Sequence, residues 1–205
     1  MVFQRGLCDV ATMKRGFVWM LVAVIFLPCL LEAGDLPVIT AEVGVPVLQE
    51  LMGGCSLKCA FPWETAAVVP GKNAQPVYTL DDDDASTVWI DPSTMVGTRL
   101  VFQFPKKLAK ELNGTPFYGF DLINGNIKTE TLFKAYARLR KVELYYNEKP
   151  FCYVTFSDTR RWQHVMFADI MAKQDDAFTM EILEVYPGAK FPNAAITEIV
   201  LQGAH

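Results

Sequence analysis

The sequence predicts an all-β protein, an antiparallel jelly-roll sandwich of about eight strands. From residue 77 onward, short apolar and aromatic runs are separated by turn residues at the spacing typical of sandwiches. Several runs alternate apolar and polar side chains, as in Val142–Tyr146 and Phe178–Ile182. This alternation is the pattern of a strand with one buried face. Helical segments do not alternate with the strands, which argues against a parallel nucleotide-binding sheet.

Eight runs are candidate strands, and they are distributed along the whole chain after residue 76. Asn147-Glu148-Lys149-Pro150 is expected to join two of them as a short hairpin connection. Lys106–Leu112 is the one predicted helical segment, in a connection at a sheet edge. In chain order the runs are Val77–Leu80, Thr98–Phe104, Phe117–Asn124, Arg138–Tyr146, Phe151–Phe156, Gln163–Phe167, Phe178–Tyr186 and Ala195–Gln202.

Residues 1–34 have the layout of a secretory signal peptide. A short basic start, Met13-Lys14-Arg15-Gly16, precedes the apolar run Phe17–Leu31, and small residues follow it. As a helix this run would be about 22 Å long, shorter than the roughly 30 Å hydrocarbon core, and Pro28 interrupts it. We expect cleavage after Ala33 or Gly34 and a secreted or periplasmic protein. An uncleaved leader that anchors the protein to the membrane is the alternative, and either Met1 or Met13 can be the true start.

Composition and charge exclude several classes of protein. The chain of 205 residues is 51% hydrophobic and 20% charged, which suits one core-bearing domain. Only the leader approaches the length of a membrane span, so a multispan membrane protein is excluded. The formal charge is −4, and because the leader holds three basic and two acidic residues, the remainder carries −5. An acidic protein of this kind is not expected to bind nucleic acid nonspecifically.

Residues 35–76 are rich in proline, glycine and small residues and show weak periodicity, so we expect an irregular N-terminal segment before a main domain at 77–205. In an exported chain, Cys55 and Cys59 predict a disulfide that closes a tight loop and pins this segment. A zinc site would need four ligands, and the chain holds only two histidines. Cys152 lies within an apolar strand and is interpreted as a core residue.

The sequence contains no recognisable catalytic motif, and we predict that the protein is not an enzyme. It lacks GxSxG, HExxH and GxxxxGK[ST] patterns. His164 is the only internal histidine, and its position in an alternating run favours a satisfied strand residue. A hydrolase built on His164 with Asp158 or Glu198 is retained as a minor alternative.

The segment Thr79–Trp89 carries four adjacent aspartates, which repel one another unless they are solvated or neutralised by a cation. Calcium prefers carboxylate, carbonyl and hydroxyl oxygens held by a loop. Asp82, Asp84 and Thr87 could supply such ligands from this loop. An acidic surface turn without a bound ion is the alternative interpretation.

The pattern Leu80-x-Asp82-x-Asp84-x-x-Thr87-x-Trp89 resembles the first conserved loop of discoidin-like domains, also called coagulation-factor type C or galactose-binding-like domains. The resemblance is closer to the bacterial branch found as the translocation domain of secreted NAD glycohydrolase toxins. The chain departs from the pattern of that branch at Asn126, Tyr136 and Asn193. Three further segments carry the resemblance: Ile123–Lys128 with Phe133 and Arg138, Ser157-Asp158 with Gln163, and Glu184–Lys190 continuing through Asn193 to Ile196–Ile199.

The resemblance implies an eight-stranded jelly roll whose loops bind a ligand at one end and which has no catalytic centre of its own. It also implies a structural calcium ion held by Asp82, Asp84, Thr87 and Glu198. We therefore expect an exported, noncatalytic binding module that recognises a surface glycan or an envelope protein. The alternative is an envelope assembly factor that docks a partner through a sandwich edge or through residues 35–76, without glycan affinity.

Sugar sites commonly stack a ring on an exposed aromatic side chain and hydrogen-bond its hydroxyl groups. Aromatic and polar residues of the predicted loops and strand ends are therefore candidate ligand contacts. The candidates are Trp162, Tyr118, Phe191, Asn124, Asn126, Arg160 and Arg161.

Overall fold

The computed structural model describes residues 35–47, 63–82, 84–93, 96–104 and 114–203. The predicted signal peptide, the predicted Cys55–Cys59 disulfide and the predicted helical segment Lys106–Leu112 lie outside the described residues. The described residues belong to one compact unit. Among the described residues, no helix has the length and apolar character that crossing a bilayer requires.

The described residues form twelve β-strands and one short helix. In chain order these are β1 (Val38–Thr40), β2 (Glu42–Pro46), β3 (Glu64–Val68), β4 (Gln75–Pro76), β5 (Trp89–Ile90), β6 (Arg99–Gln103), β7 (Thr115–Asn124), α1 (Glu130–Ala135), β8 (Arg138–Tyr146), β9 (Lys149–Thr155), β10 (Arg161–Ala172), β11 (Ala177–Tyr186) and β12 (Ala195–Gly203).

The strands build two packed sheets. A seven-stranded sheet has the order β1-β9-β8-β11-β6-β3-β4, and a five-stranded sheet has the order β2-β10-β7-β12-β5. Neighbouring strands are antiparallel except for β1 and β9, which run parallel. The predicted all-β jelly-roll sandwich is confirmed, and short edge strands account for the number above eight.

The core lies between the two sheets and is rich in phenylalanine. Phe178 of the seven-stranded sheet is fully buried against Phe117 and Phe120 of the five-stranded sheet. The Phe117 and Phe178 ring centroids are 5.0 Å apart in an edge-to-face arrangement, which is a favourable geometry for aromatic pairs. The alternation of apolar and polar residues in β8 arises because one face of the strand, with Val142 and Leu144, is buried in this core.

The prediction of a strand at Val77–Leu80 is wrong, because these residues form a loop after β4. Val77 and Leu80 are nonetheless buried in the core. The Leu80 carbonyl accepts a hydrogen bond of 2.7 Å from the Ile199 amide of β12. A buried loop and a short strand both place apolar residues inside, so the sequence pattern alone could not distinguish them.

The expectation of an irregular segment at 35–76 is also wrong for the residues that the structure describes there. β1 and β2 extend one edge of each sheet, and β3 and β4 extend the other edge of the larger sheet. These strands have two to five residues, and all except β3 stand at an edge of their sheet, so they are too short to show the alternation of a half-buried strand. Packing explains why residue 44 in β2 is a glycine, because a Cβ atom there would lie 2.1 Å from Nε2 of His164.

Helix α1 has six residues and connects β7 to β8. Thr129 caps its N-terminus, with Oγ1 accepting a hydrogen bond of 3.1 Å from the Leu132 amide. Phe133 is its buried residue. The helix belongs to the end of the sandwich at which β7 finishes and β8 begins, which is also the end that holds the site described below.

Candidate functional site

Loops from three parts of the chain meet at one end of the five-stranded sheet. β7 ends there at Asn124, β10 begins there at Arg161, and Pro46 at the end of β2 stands opposite Arg161 in the strand register. Between these loops and the acidic loop before β5 lies an open cleft of about 590 Å³. The cleft is lined by Pro46, Val47, Ala85, Ser86, Ile127, Lys128, Arg160 and Arg161.

The cleft has an apolar floor and a cationic rim. Val47 packs with buried Trp162 and Ile123, and Ala85 and Ile127 pack against the same cluster. The rim consists of three exposed cationic side chains, those of Lys128, Arg160 and Arg161. One guanidinium nitrogen of Arg160 donates a 2.6 Å hydrogen bond to the Ile127 carbonyl, which fixes this side chain at the cleft.

Two buried amide side chains hold the loops around the cleft. The Nδ2 atom of Asn124 donates to the Leu139 carbonyl at 2.8 Å, and its Oδ1 atom accepts from the Leu139 amide at 2.9 Å. This pair of bonds joins β7 in one sheet to β8 in the other. Gln163 bonds in the same two-way manner to the backbone of Ser157, which closes the loop that carries Arg160.

The buried Arg138 side chain connects several loops at this end. Its Nε and Nη2 atoms donate to the Asp158 carboxylate at 2.9 and 2.7 Å, the bidentate geometry that favours arginine. Its Nη1 atom donates to the carbonyls of Tyr136 and Pro187 at 2.8 and 3.1 Å. The guanidinium also lies over the Phe133 ring, 5.0 Å from the centroid. One side chain therefore fixes α1, the loop before β10 and the loop before β12.

The acidic loop is organised around the Thr87 hydroxyl. Oγ1 of Thr87 lies 2.8 and 3.0 Å from the two carboxylate oxygens of Asp82 and 2.9 Å from the Asp84 carbonyl. The Asp84 carboxylate accepts a 2.8 Å hydrogen bond from the Ser86 amide. Hydrogen bonds from the Ser86 hydroxyl and amide, with a smaller contribution from the charge of Lys128, lower the pKa of Asp84.

Many of the residues that match the family pattern in the sequence are the ones that build this end of the fold. The family model described as the NAD glycohydrolase translocation F5/8 type C domain matches residues 65–202. The chain belongs to this family. No protein of curated function matches the chain.

Among solved structures, this translocation-type F5/8 type C domain is similar to the CBM32-1 and CBM32-2 domains of Clostridium perfringens ZmpB, determined in complex with GalNAc. The TM-score is 0.50 at 10% sequence identity. The match covers 83% of this chain and 41% of that chain, so this chain spans less than half of the solved one. The likeness shows a shared fold, and translocation and CBM32 domains are noncatalytic modules.

The predicted metal ligands are only partly brought together in this F5/8 type C domain. Asp82, Asp84 and Thr87 share one loop, and their carboxylate, carbonyl and hydroxyl oxygens are the donors that calcium prefers. The loop is fastened to β12 through the Leu80–Ile199 hydrogen bond, one residue beyond the buried Glu198. In the part of the chain that the structure describes, no group of three or more His, Cys, Asp or Glu side chains could hold a metal ion. Any cation here would therefore depend on hydroxyl and backbone oxygens as well.

Of the predicted ligand contacts, only Arg160 and Arg161 line the cleft. Trp162 is 7% exposed and Asn124 is fully buried, so neither can contact a ligand from solvent. Asn126 is 6% exposed, and its Oδ1 atom accepts from the Lys128 amide. The expectation that Trp162 is exposed is therefore wrong, and the candidates Asn124 and Asn126 are buried as well, because each of the three completes packing or backbone hydrogen bonding.

The two remaining aromatic candidates do not reach the cleft lining. Phe191 stacks on Tyr136 with ring centroids 4.6 Å apart. Tyr118 lies on β7 six residues before the cleft end, which corresponds to about 20 Å of strand. Sequence reasoning did not identify Val47, Ile127 and Lys128 as cleft residues. Ile127 and Lys128 lie in a segment of the family pattern, but only the position of β2 beside β10 brings Val47 to them.

The hydrolase alternative combined His164 with Asp158 or Glu198, and the structure gives His164 and Asp158 different hydrogen-bond partners. Nδ1 of His164 lies 2.7 Å from Oδ1 of Asp121, whereas Asp158 is held by Arg138. Gln202 donates to the other Asp121 oxygen at 2.8 Å, so this group is a structural network on the sheet. Cys152 is confirmed as a core residue, and its burial raises the pKa of its thiol to about 12.

Proposed function

We propose that this protein is an exported, noncatalytic module that recognises a surface glycan in the cleft at the end of the sandwich. The observation that carries the proposal is the cleft itself. It is open, it has an apolar floor, and it presents the guanidinium groups of Arg160 and Arg161 beside the Ser86 hydroxyl. Its volume of about 590 Å³ falls within the range of small-molecule sites, roughly 300–1,000 Å³.

Two considerations support a sugar as the ligand. The fold is shared with CBM32 domains, one structure of which was determined in complex with GalNAc. A sugar also has both aliphatic C–H surface and many hydroxyl oxygens, and these match the floor formed by Val47 and Ile127 and the donors of the rim. Export rests on the apolar run at residues 17–31 and on the small residues that follow it.

A glycan array followed by calorimetry on the full-length chain tests this function. The variant Ala85→Phe fills the cleft without changing charge, and we expect it to abolish binding. Ala74→Phe places the same bulk at an exposed loop position outside this cleft and is expected to bind like the wild type. Lack of affinity for every glycan and envelope polysaccharide would contradict the proposal, and capture of one specific envelope protein would favour the assembly factor instead.

A calcium ion at the acidic loop is the structural part of the proposal, with Asp82, Asp84, Thr87 and Glu198 as the ligand set. An ion that binds only the folded state stabilises it by roughly 2.7 kcal/mol at a hundred-fold excess over its dissociation constant. We expect the melting temperature to rise with calcium and to fall with chelator. Asp84→Ala should remove this response, whereas Asp169→Ala on β10 should keep it. Identical melting of the wild type in calcium and in chelator would contradict the calcium site.

A further inference from the structure

The charge of the cleft differs in sign from that of the whole molecule. The chain carries a formal charge of −4, yet the described residues that line the cleft include Lys128, Arg160 and Arg161 and no acidic side chain. A concave surface lined by charges of one sign concentrates ions of the opposite sign. The cleft is therefore an electropositive site on an acidic protein.

The three cations are available to a ligand. Within the described residues, none of them forms an ion pair at 4.0 Å or less. The acidic residues with an electrostatic effect here, Asp84 near Lys128 and Glu130 near Arg160, lie outside the lining. Arg160 uses one nitrogen to bind the Ile127 carbonyl, which orients the guanidinium and leaves further N–H donors for a second acceptor.

The floor of the cleft limits how a sugar can be held. Among the described residues that line the cleft, those of the floor are aliphatic and none is aromatic, so they offer no ring on which a sugar could stack as in many sugar sites. Hydroxyl oxygens can accept hydrogen bonds from the guanidinium and ammonium groups of the rim, but they carry no charge to pair with these cations. A carboxylate or sulfate forms charge-assisted hydrogen bonds with them, about twice as strong as neutral ones.

We propose that the ligand of this cleft is an anionic saccharide, one that carries a carboxylate or sulfate group held by Arg160, Arg161 and Lys128. This inference rests on the proposed glycan recognition and specifies its substrate class. The sugar ring lies over Val47 and Ile127, and the anionic group faces the rim.

Matched sugars that differ only in the anionic group provide the test. Calorimetry on the full-length chain compares galacturonic acid with galactose, and sulfated with unsulfated N-acetylgalactosamine. We expect the anionic member of at least one pair to bind ten-fold or more tightly. Raising the salt concentration should reduce this preference, because exposed charges are screened.

Variants that replace a cationic side chain of the rim by a neutral one test whether these cations cause the preference for anionic sugars. Arg161→Gln and Lys128→Gln should each reduce the affinity for the anionic sugar about ten-fold and leave the neutral sugar nearly unaffected. Arg161→Lys should retain part of the preference. Lys149→Gln, in the hairpin at the opposite end of β8, removes one exposed positive charge and is the matched control.

The outcomes separate the two proposals. Equal affinity for both members of every pair would overturn the anionic class and leave glycan recognition standing. Binding to phosphatidylserine vesicles without affinity for any anionic sugar would also overturn it, because the same cations would then serve a lipid headgroup. Absence of all glycan binding would overturn both proposals.

Discussion

Asn124 shows how a single side chain determines the geometry of the cleft end. It is fully buried, and its two hydrogen bonds satisfy both backbone groups of Leu139 across the two sheets. Gln163 has the same role at Ser157, and Arg138 at Asp158, Tyr136 and Pro187. These residues of the family pattern therefore position the loops, and exposed residues between them, such as Lys128 and Arg160, line the cleft.

Asn124→Ala is predicted to destabilise the fold by about 3 kcal/mol. It leaves the buried N–H and C=O of Leu139 without partners, and each such group costs about 1–3 kcal/mol. Asn126→Ala, which loses one hydrogen bond of 3.3 Å to a backbone amide, should cost less than about 1 kcal/mol. Urea unfolding of both variants measures the difference, and equal losses would show that the Leu139 bridge is not the cause.

Asp91 provides a prediction about pH. It is 2% exposed, and burial raises its pKa although Ser93 and Thr98 donate hydrogen bonds to its Oδ1 atom. A carboxyl whose folded-state pKa is raised contributes most to stability below its unfolded pKa of about 3.9, and this contribution is lost as the pH rises through the folded-state value.

Asp91→Asn is therefore predicted to become more stable relative to the wild type as the pH rises from 4 to 7. Asparagine keeps the acceptor atom of both hydrogen bonds and never carries the buried charge. Melting temperatures of the two proteins between pH 4 and pH 8 measure this difference. A difference that stays constant, or that shrinks with rising pH, would contradict the assignment.

Predictions about single residues were correct where neighbours in the sequence determine the environment of the residue. Cys152 in an apolar run is buried, and Asp82, Asp84 and Thr87 on one short loop do lie together. Trp162 could not be assigned, because an aromatic residue at a strand start packs inward or outward according to a neighbour from a distant segment. Here that neighbour is Val47, which follows β2.

At the scale of elements, the segment after β11 completes helix α1. The amides of Ala189 and Lys190 donate to the carbonyls of Lys134 and Ala135 at 2.9 and 3.0 Å, which satisfies the C-terminus of the helix. Gly188 makes this approach possible. A Cβ atom there would lie 2.3 Å from the Phe191 carbonyl oxygen and 2.6 Å from that of Ala135.

Gly188→Ala is predicted to destabilise the protein by more than 2 kcal/mol, because backbone rather than a flexible side chain must move. Gly71→Ala is the matched control. Gly71 has a φ of +74° and no atom within 4 Å of a Cβ atom, so only the conformational strain of about 1 kcal/mol applies. Urea denaturation compares the two variants. Equal destabilisation would mean that the close approach at Gly188 is not costly.

Sequence periodicity identified the central strands and missed the peripheral elements. Strands such as β8 and β11 bury one face along most of their length, and their alternation is strong. Edge strands such as β1 and β5 have three and two residues, too few for a period to appear. Helix α1 has six residues and owes its position to tertiary contacts, so its propensity signal is equally weak.

At the scale of the whole molecule, the cleft depends on the packing order of the strands. Its lining comes from the end of β2, the acidic loop, the turn after β7 and the start of β10. These segments are separated by tens of residues, and no local feature predicts that they meet. The fold class follows from patterns repeated along the chain, whereas the site is specific to one arrangement of loops.

The two sheets are predicted to unfold together in one cooperative transition, because they share a single aromatic core. Phe178 of one sheet contacts Phe117 and Phe120 of the other, so neither sheet can keep its buried face without its partner. Tryptophan fluorescence, which includes Trp89 and Trp162 of the five-stranded sheet, should give the same urea midpoint as far-ultraviolet circular dichroism, which reports both sheets.

Val142→Ala in the larger sheet and Leu122→Ala in the smaller one should each lower the stability by about 2–4 kcal/mol and shift the midpoints of both signals equally. Separate midpoints, or a variant that moves only one signal, would show instead that the sheets are stable independently.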